Sequence, residues 1–179
     1  MIKKLFKIVF VIALILLIKD CVTTILVNYQ NKQEVESYYN NDTGFNYKSD
    51  LVLNVPSINI NLVVKKAYKD FSNLNKNLVY YERNNFNDKI IIFGHSGMGY
   101  ATFFNRLDEL SENEEAYLYK DNKKAIYKVS DIYTISYKDI DILKNDEKNT
   151  LLLITCDKKR KNLRLVVKLS LKSIKTLKK

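Results

Sequence analysis

The chain has 179 residues, 46% of them hydrophobic, and a formal charge of +10. That suffices for one ordinary globular domain with an appendage. Lys3, Lys4, Lys7 and Lys19 against Asp20 account for +3 of the charge, leaving +7; lysines are scattered through every segment of the chain, a compositional bias rather than a nucleic-acid surface. The two cysteines, Cys21 and Cys156, lie far apart and imply no disulfide framework.

In chain order, residues 1–27 read as a membrane anchor. Three lysines precede an unbroken apolar run at 8–18, and apolar character resumes at Cys21, Val22 and 25–27. The run alone is short of the ~20 residues that span a bilayer. Residues 5–27 reach that length if Lys7 snorkels and Lys19 with Asp20 sits near the outer interface. A cleaved signal peptide has an apolar region of the same size, but no small-x-small cleavage site follows, so an uncleaved anchor is expected. The leading lysines place the N-terminus in the cytoplasm and the remainder outside, a single-pass arrangement. Residues 28–48 are polar and read as a stalk, part-helical at 32–38.

From residue 49 onward the signals are those of β structure. Strands are expected at 51–56 and 58–64 around the only proline, Pro56, which suggests an edge or a break. A helical turn at 70–77, a strand at 78–81, a turn at 84–88 and a central strand at 89–95 follow. Residues 96–99, Ser-Gly-Met-Gly, form a flexible link into a short helix at 100–110, where Phe103, Phe104, Leu107 and Leu110 fall on one face as core. Strands at 115–120 and 124–136 make a hairpin with Asp121 and Asn122 at its turn. A polar link, 137–149, leads to a buried strand at 150–156, a basic loop at 157–162 and a returning strand at 163–168.

Three residues of this layout carry chemistry. Cys156 closes its strand and is followed by Asp-Lys-Lys-Arg-Lys, a rim position in a positive field that favours thiolate; a lone strand cysteine is otherwise more often a small hydrophobe. His95, the only histidine, also ends an apolar strand, and it is the one side chain that ordinarily titrates near neutrality. Arg164 opens the returning strand and is one of four arginines among 30 basic residues; on spacing alone a surface cation is an equal reading. Ser96 cannot share a Ser-His-Asp arrangement with His95, because neighbours on extended chain point to opposite sides. One histidine and one accessible cysteine do not fill a zinc site, and no cofactor is expected.

Together LITC at 153–156, RLVV at 164–167, and Gly94-His95 followed by Phe103, Phe104 and Leu107 resemble the signature set of the sortases, cysteine transpeptidases of Gram-positive bacteria. The resemblance covers residues 51–171. It implies an all-β fold, a closed eight-stranded barrel with one or two short helices behind an N-terminal transmembrane helix, and a catalytic domain at 49–179. It implies Cys156 as nucleophile, His95 as acid and base, and Arg164 as the group that steadies the carbonyl oxyanion or the substrate backbone. Ile154, Thr155 and Ser96, flanking them, are the expected substrate-binding residues. The implied partners are a Leu-Pro-x-Thr-Gly-like sorting signal and an amine of a cell-wall precursor or a pilin. The link at 137–149 is too short for the long helix that one sortase class inserts there. No extended stretch that could act as a lid precedes the domain, so a class D-like or A-like enzyme is expected over class B or C.

Three positions depart from the family pattern. Leu152 stands where threonine is common. The loop between Cys156 and Arg164 is short, and Glu112-Asn-Glu-Glu115 replaces a Gly-Asp turn. The alternative reading is an exported β-barrel module that holds anionic wall polymers on its basic face and keeps Cys156 inert.

Overall fold

The computed structural model describes residues 2–40, 50–82, 86–139, 141–144 and 147–177. The end of the expected stalk (41–48), part of the turn at 84–88 and parts of the link at 137–149 lie outside the described residues. Eight strands, β1 (Leu51–Val55), β2 (Ile60–Lys66), β3 (Leu78–Glu82), β4 (Ile90–Phe93), β5 (Glu115–Lys120), β6 (Lys123–Ser136), β7 (Thr150–Cys156) and β8 (Leu163–Thr176), close into a barrel in the order β1-β2-β3-β4-β7-β8-β6-β5. The expected fold class is the one observed. All neighbours are antiparallel except β2–β3 and β4–β7.

Alternation sorts each strand into an inner and an outer row. Leu51 and Leu53, Ile90 and Ile92, Leu151 and Leu153, and Val167 and Leu169 fill the interior. Their outward neighbours Ile91, Leu152, Ile154 and Val166 form a second apolar cluster on the outside of the barrel. That cluster is covered by the link after β6, whose single helical turn, α2 (Asp141–Lys144), packs Ile142 and Leu143 onto it. The buried Lys89 ammonium donates to the Ile142 carbonyl at 2.7 Å and ties this cover to the barrel. A strand buried on both faces needs an uninterrupted apolar run, which is why 151–154 reads Leu-Leu-Leu-Ile.

Helix α1 runs unbroken over Ile2–Tyr39 and does not change character at residue 27. Its C-terminal part docks on the barrel: Val35 and Tyr38 pack against Val52, Val63 and Tyr119. Lys65 of β2 bridges Glu34 of the helix (3.1 Å) and Asp50 (3.2 Å). The barrel-facing positions 31, 34, 35 and 38 follow helical spacing. Burying side chains such as Val35 stabilises by about 1.5–3 kcal/mol each, so tertiary contact sustains a helix whose own sequence is mostly polar here.

Several boundaries differ from expectation for identifiable reasons. No helix forms over 100–110; Ala101 takes a left-handed φ of 58°, and a 3-10 turn at Leu107–Glu109 is all that develops. Its bonds run from Leu107 N to Phe104 O and from Leu110 N to Leu107 O, so buried residues spaced by three satisfy this turn as well as an α-helix. Pro56 marks the expected break: β1 ends at Val55, and Pro56 opens a 3-10 turn, Pro56–Ile58, before β2. In the stretch that departs from Gly-Asp, Asn113 supplies the left-handed residue (φ 70°) and donates its N–H to Val129 O at 2.9 Å, so asparagine fills the turn. Asp121 and Asn122 both have positive φ, as a two-residue hairpin turn requires. β8 continues well past residue 168, to Thr176, paired with β6 throughout.

Candidate active site

Strands β4, β7 and β8 are neighbours, and their registers decide which side chains meet. The parallel β4–β7 register pairs Phe93 with Ile154, and Gly94 N donates to Ile154 O at 3.1 Å. Pairing therefore continues past the end of β4 and sets His95 beside Cys156. On the other side of β7, Cys156 lies directly opposite Arg164, which in turn lies opposite Ile135 of β6. Residues paired across a sheet share a face. Since Leu151 and Leu153 point inward, Thr155 does too, and Cys156 points outward with Leu152 and Ile154. His95, Cys156 and Arg164 form one row on the outer face, at the end of the barrel where β4 and β7 finish.

Two hydroxyls lock this row. Ser96 Oγ donates to the Cys156 carbonyl at 2.6 Å, and Thr155 Oγ1 donates to the Gly94 carbonyl at 2.7 Å. Each joins the exit of β4 to the exit of β7, where regular pairing has stopped. Thr155 is 3% exposed and Ile154 4% exposed, so these two residues frame the site from below. Gly94 is required by close approach: a Cβ there would stand 2.5 Å from Leu78 Cδ2 and 2.6 Å from Phe104 Cδ2. Beyond it, the Asn105 amide brackets Gly97, accepting from its N–H (2.7 Å) and donating to its carbonyl (3.1 Å).

The row borders an outer groove of about 260 Å³, walled by Phe93, Ile135, Tyr137, Ile142 and Leu143. Arg164 Nη1 donates to the carbonyls of Leu163 (3.1 Å) and Lys161 (3.4 Å), and the guanidinium lies 5.8 Å from the Tyr137 ring centre. Among the described residues no protein acceptor is recorded for Nε and Nη2, and no carboxylate is recorded as bonded to the His95 imidazole. The remaining N–H groups of the guanidinium fork can meet a carbonyl oxygen in the groove.

The basic loop is less positive than its sequence suggests. Asp157 accepts from the backbone N–H groups of Lys159 (2.9 Å) and Arg160 (2.7 Å) and pairs with the Arg160 guanidinium at 3.0 Å. The Arg160 side-chain bond, with these backbone bonds, holds the Asp157 carboxyl below the usual aspartate range. Lys158 pairs with Asp108 at 2.7 Å. Two of the four basic residues after Cys156 thus have acidic partners, and Arg160 faces away from the outer groove. It borders a second depression of about 440 Å³ at the barrel mouth, with Thr134, Thr155 and Asp157. No cluster of three or more His, Cys, Asp or Glu suited to a metal ion occurs among the described residues.

The Sortase domain family model matches residues 53–172, nearly the entire barrel. The chain belongs to the sortase family. Solved structures of sortases share the fold. Listeria monocytogenes sortase A superposes with a TM-score of 0.65 at 23% identity, covering 72% of this chain and 90% of that one. Sortase C-1 of Actinomyces oris gives 0.61 at 21% identity, covering 69% and 73%. A sortase D transpeptidase of Clostridium perfringens gives 0.59 at 19% identity, covering 86% and 98%. These neighbours come from three sortase classes at similar likeness, so they show the fold and no class. No curated protein sequence matches.

Within this sortase, the residues that sequence reasoning missed are the groove walls Phe93, Ile135, Ile142 and Leu143 and the Asp157–Arg160 clamp. Phe93 was legible in principle, two residues before His95 on the same strand and hence on the same face. Leu152, in place of the family's common threonine, lies in the outer cluster at 2% exposure.

Proposed function

We propose that this sortase is a membrane-anchored cysteine transpeptidase acting on a sorting signal of the Leu-Pro-x-Thr-Gly type. The observation that carries the reading is the three-strand register that aligns His95, Cys156 and Arg164 beside an apolar groove. The Cys156 thiolate attacks the carbonyl of the scissile bond, and the oxyanion that forms accepts hydrogen bonds from Arg164. The C–N bond breaks as His95 gives a proton to the leaving amine, leaving a thioester on Cys156. An incoming amine, from a cell-wall precursor or a pilin, attacks the thioester and loses its proton to His95. The thiolate departs, and one peptide bond has replaced another. Ile154 lends its apolar surface to the floor of the peptide site, while Thr155 and Ser96 hold the strand exits on which substrate lies.

In this reading residues 1–27 anchor the chain, 28–48 connect, and 49–179 form the catalytic domain on the outer side of the cell membrane. The apolar N-terminal part of α1 is long enough to cross a bilayer by length and composition. The test is mass spectrometry of the protein incubated with a sorting-type peptide. Wild type is expected to gain the mass of the acyl fragment. Cys156→Ala gains nothing, His95→Ala keeps an alkylatable thiol but turns over poorly, and Cys21→Ala behaves as wild type. An adduct that survives in Cys156→Ala, or no adduct in wild type with any such peptide, overturns the proposal.

A further inference from the structure

The barrel has two distinct ends, and α1 relates them to its own N-terminal half. β1, β4, β6 and β7 finish, and β2, β5 and β8 begin, at the end that carries His95, Cys156 and Arg164. The docked part of the helix runs downward along the barrel from this end. Thr24 and Asn28 share a cleft with Asn59 of the β1–β2 turn and with Gly99 and Ala101. Val35 and Tyr38, further along, contact Val52, Val63 and Tyr119 toward the opposite end. The helix enters no barrel contact before residue 23: the described side chains of residues 3–22 are all exposed. The apolar half of α1 therefore projects beyond the catalytic end. At 1.5 Å per residue, residues 3–22 are about 30 Å long, one bilayer core.

The surface next to that junction suits a membrane interface. Met98 is fully exposed and Tyr100 is 43% exposed. They ride on a loop in which Gly97 (φ 121°) and Gly99 (φ 119°) flank Met98 with backbone that L side chains rarely adopt. On the helix side turned away from the barrel, Ile25, Leu26 and Tyr29 are exposed at the same height, and tyrosine is the residue type that settles at headgroup level. Lys159 and Lys161, exposed at this end of the barrel, have no recorded ion pair among the described residues, which matches an anionic lipid surface.

We propose that the catalytic end of the barrel rests on the outer face of an anionic bilayer, with Met98 and Tyr100 in the headgroup region. The inference rests on α1 being the anchor. Its consequence is that the groove opens at a fixed, short height above the lipid, within reach of peptide and amine substrates that are themselves held on the membrane.

The experiment uses the full chain with Cys21→Ser and Cys156→Ala, reconstituted in phosphatidylglycerol and phosphatidylcholine vesicles. A single environment-sensitive fluorophore is placed through Leu14→Cys, Met98→Cys or Lys123→Cys. Residue 123 starts β6 at the opposite end of the barrel, about 40 Å from the catalytic end along that strand at ~3.3 Å per residue. Spin-labelled lipids with the quencher at mid-chain or at the headgroup report depth. Strong mid-chain quenching at 14, headgroup quenching at 98, and several-fold less quenching of either kind at 123 are expected. Quenching at 14 with 98 no more quenched than 123 overturns the orientation and leaves the anchor standing. No quenching at 14 sinks the anchor reading and the orientation with it.

Discussion

On its outer side Cys156 borders a groove walled by Phe93, Ile135, Ile142 and Leu143, whereas the depression toward the barrel mouth is bordered by Thr134, Thr155, Asp157 and Arg160. The two share Cys156 and Thr155 and little else. The outer one holds His95 and Arg164 beside an apolar surface. The inner one carries an arginine already paired with a carboxylate and, in Ser96 and Thr155, hydroxyls already donated to backbone. A peptide with an apolar side chain next to its scissile bond meets, on the outer side, apolar walls together with His95 and Arg164. The Arg164 guanidinium there has no carboxylate partner among the described residues, whereas Arg160 is paired with Asp157. On the proposed function the contrast favours the outer groove for the acyl donor, and the predictions below set the two sides against each other.

The largest expected effect separates the two arginines. Lysine keeps the charge but loses the planar fork, so Arg164→Lys should lose roughly 10²–10³ in kcat, the cost of an oxyanion-type donor (about 2.7–4 kcal/mol). Arg160→Lys, on the inner side, should keep nearly full activity. Steady-state kinetics on a sorting peptide checks both. Equal losses would mean that the two depressions act together, or that charge alone suffices.

Next in size is Gly94→Ala, which strikes the element both sides share. Its Cβ would meet the Leu78 and Phe104 side chains at 2.5–2.6 Å. Overpacking of this kind costs about 1–3 kcal/mol, read as a fall in the denaturant midpoint with an unchanged slope. Unchanged stability would mean that the exit of β4 yields easily and does not hold His95 in place.

Smaller still is the groove wall. Leu143→Ser removes apolar contact from the outer side and should raise KM for the peptide about ten-fold, within the ~1–3 kcal/mol that a hydrophobic pocket commonly discriminates. Thr134→Val on the inner side should leave KM unchanged. A larger KM effect at Thr134 than at Leu143 would move the peptide to the barrel mouth.

The outer groove was only half legible in the sequence. Residues 150–156 form a strand with the expected limits, because a fully buried strand leaves an uninterrupted apolar run and the thiol follows from counting faces. The hairpin at Asp121 and Asn122 was equally plain, since few residues other than glycine tolerate left-handed backbone in succession. The registers that bring His95 and Arg164 to Cys156 were reachable only through family resemblance; one strand carries no statement of its neighbour. The segment 100–110 misled because burial every third residue fits a 3-10 turn as well as a helix, and the left-handed Ala101 has no sequence signal. Residues 28–39 read as a polar stalk, helical only at 32–38, because the few residues that dock, Val35 and Tyr38 above all, reveal a packing face only once the barrel opposite is known. The basic loop suggested a strong positive field, and the pairing of Arg160 and Lys158 with nearby carboxylates weakens it.

That pairing supports the smallest expected effect, a dependence on pH seated in the inner depression. Asp157 is held below the ordinary aspartate range by its hydrogen bonds with Arg160 and the loop backbone. A group whose folded pKa is depressed stabilises the fold fully above its unfolded value, near 3.9, and that contribution disappears as pH falls through the folded value. The loop after Cys156 should therefore loosen below about pH 4. The change should be modest, because the Arg160 side of the pair is exposed to solvent and to salt. Asparagine at 157 can still accept from the backbone of Lys159 and Arg160 but carries no charge to titrate. Amide exchange at those two residues is the measurement. In wild type, protection should fall as pH drops below about 4 relative to the rest of the barrel after correction for intrinsic exchange rates. In Asp157→Asn it should be lower at neutral pH and flat over the same drop. A parallel fall in both proteins would show that the acid response comes from elsewhere, and that the clamp does not shape the loop beside the thiol.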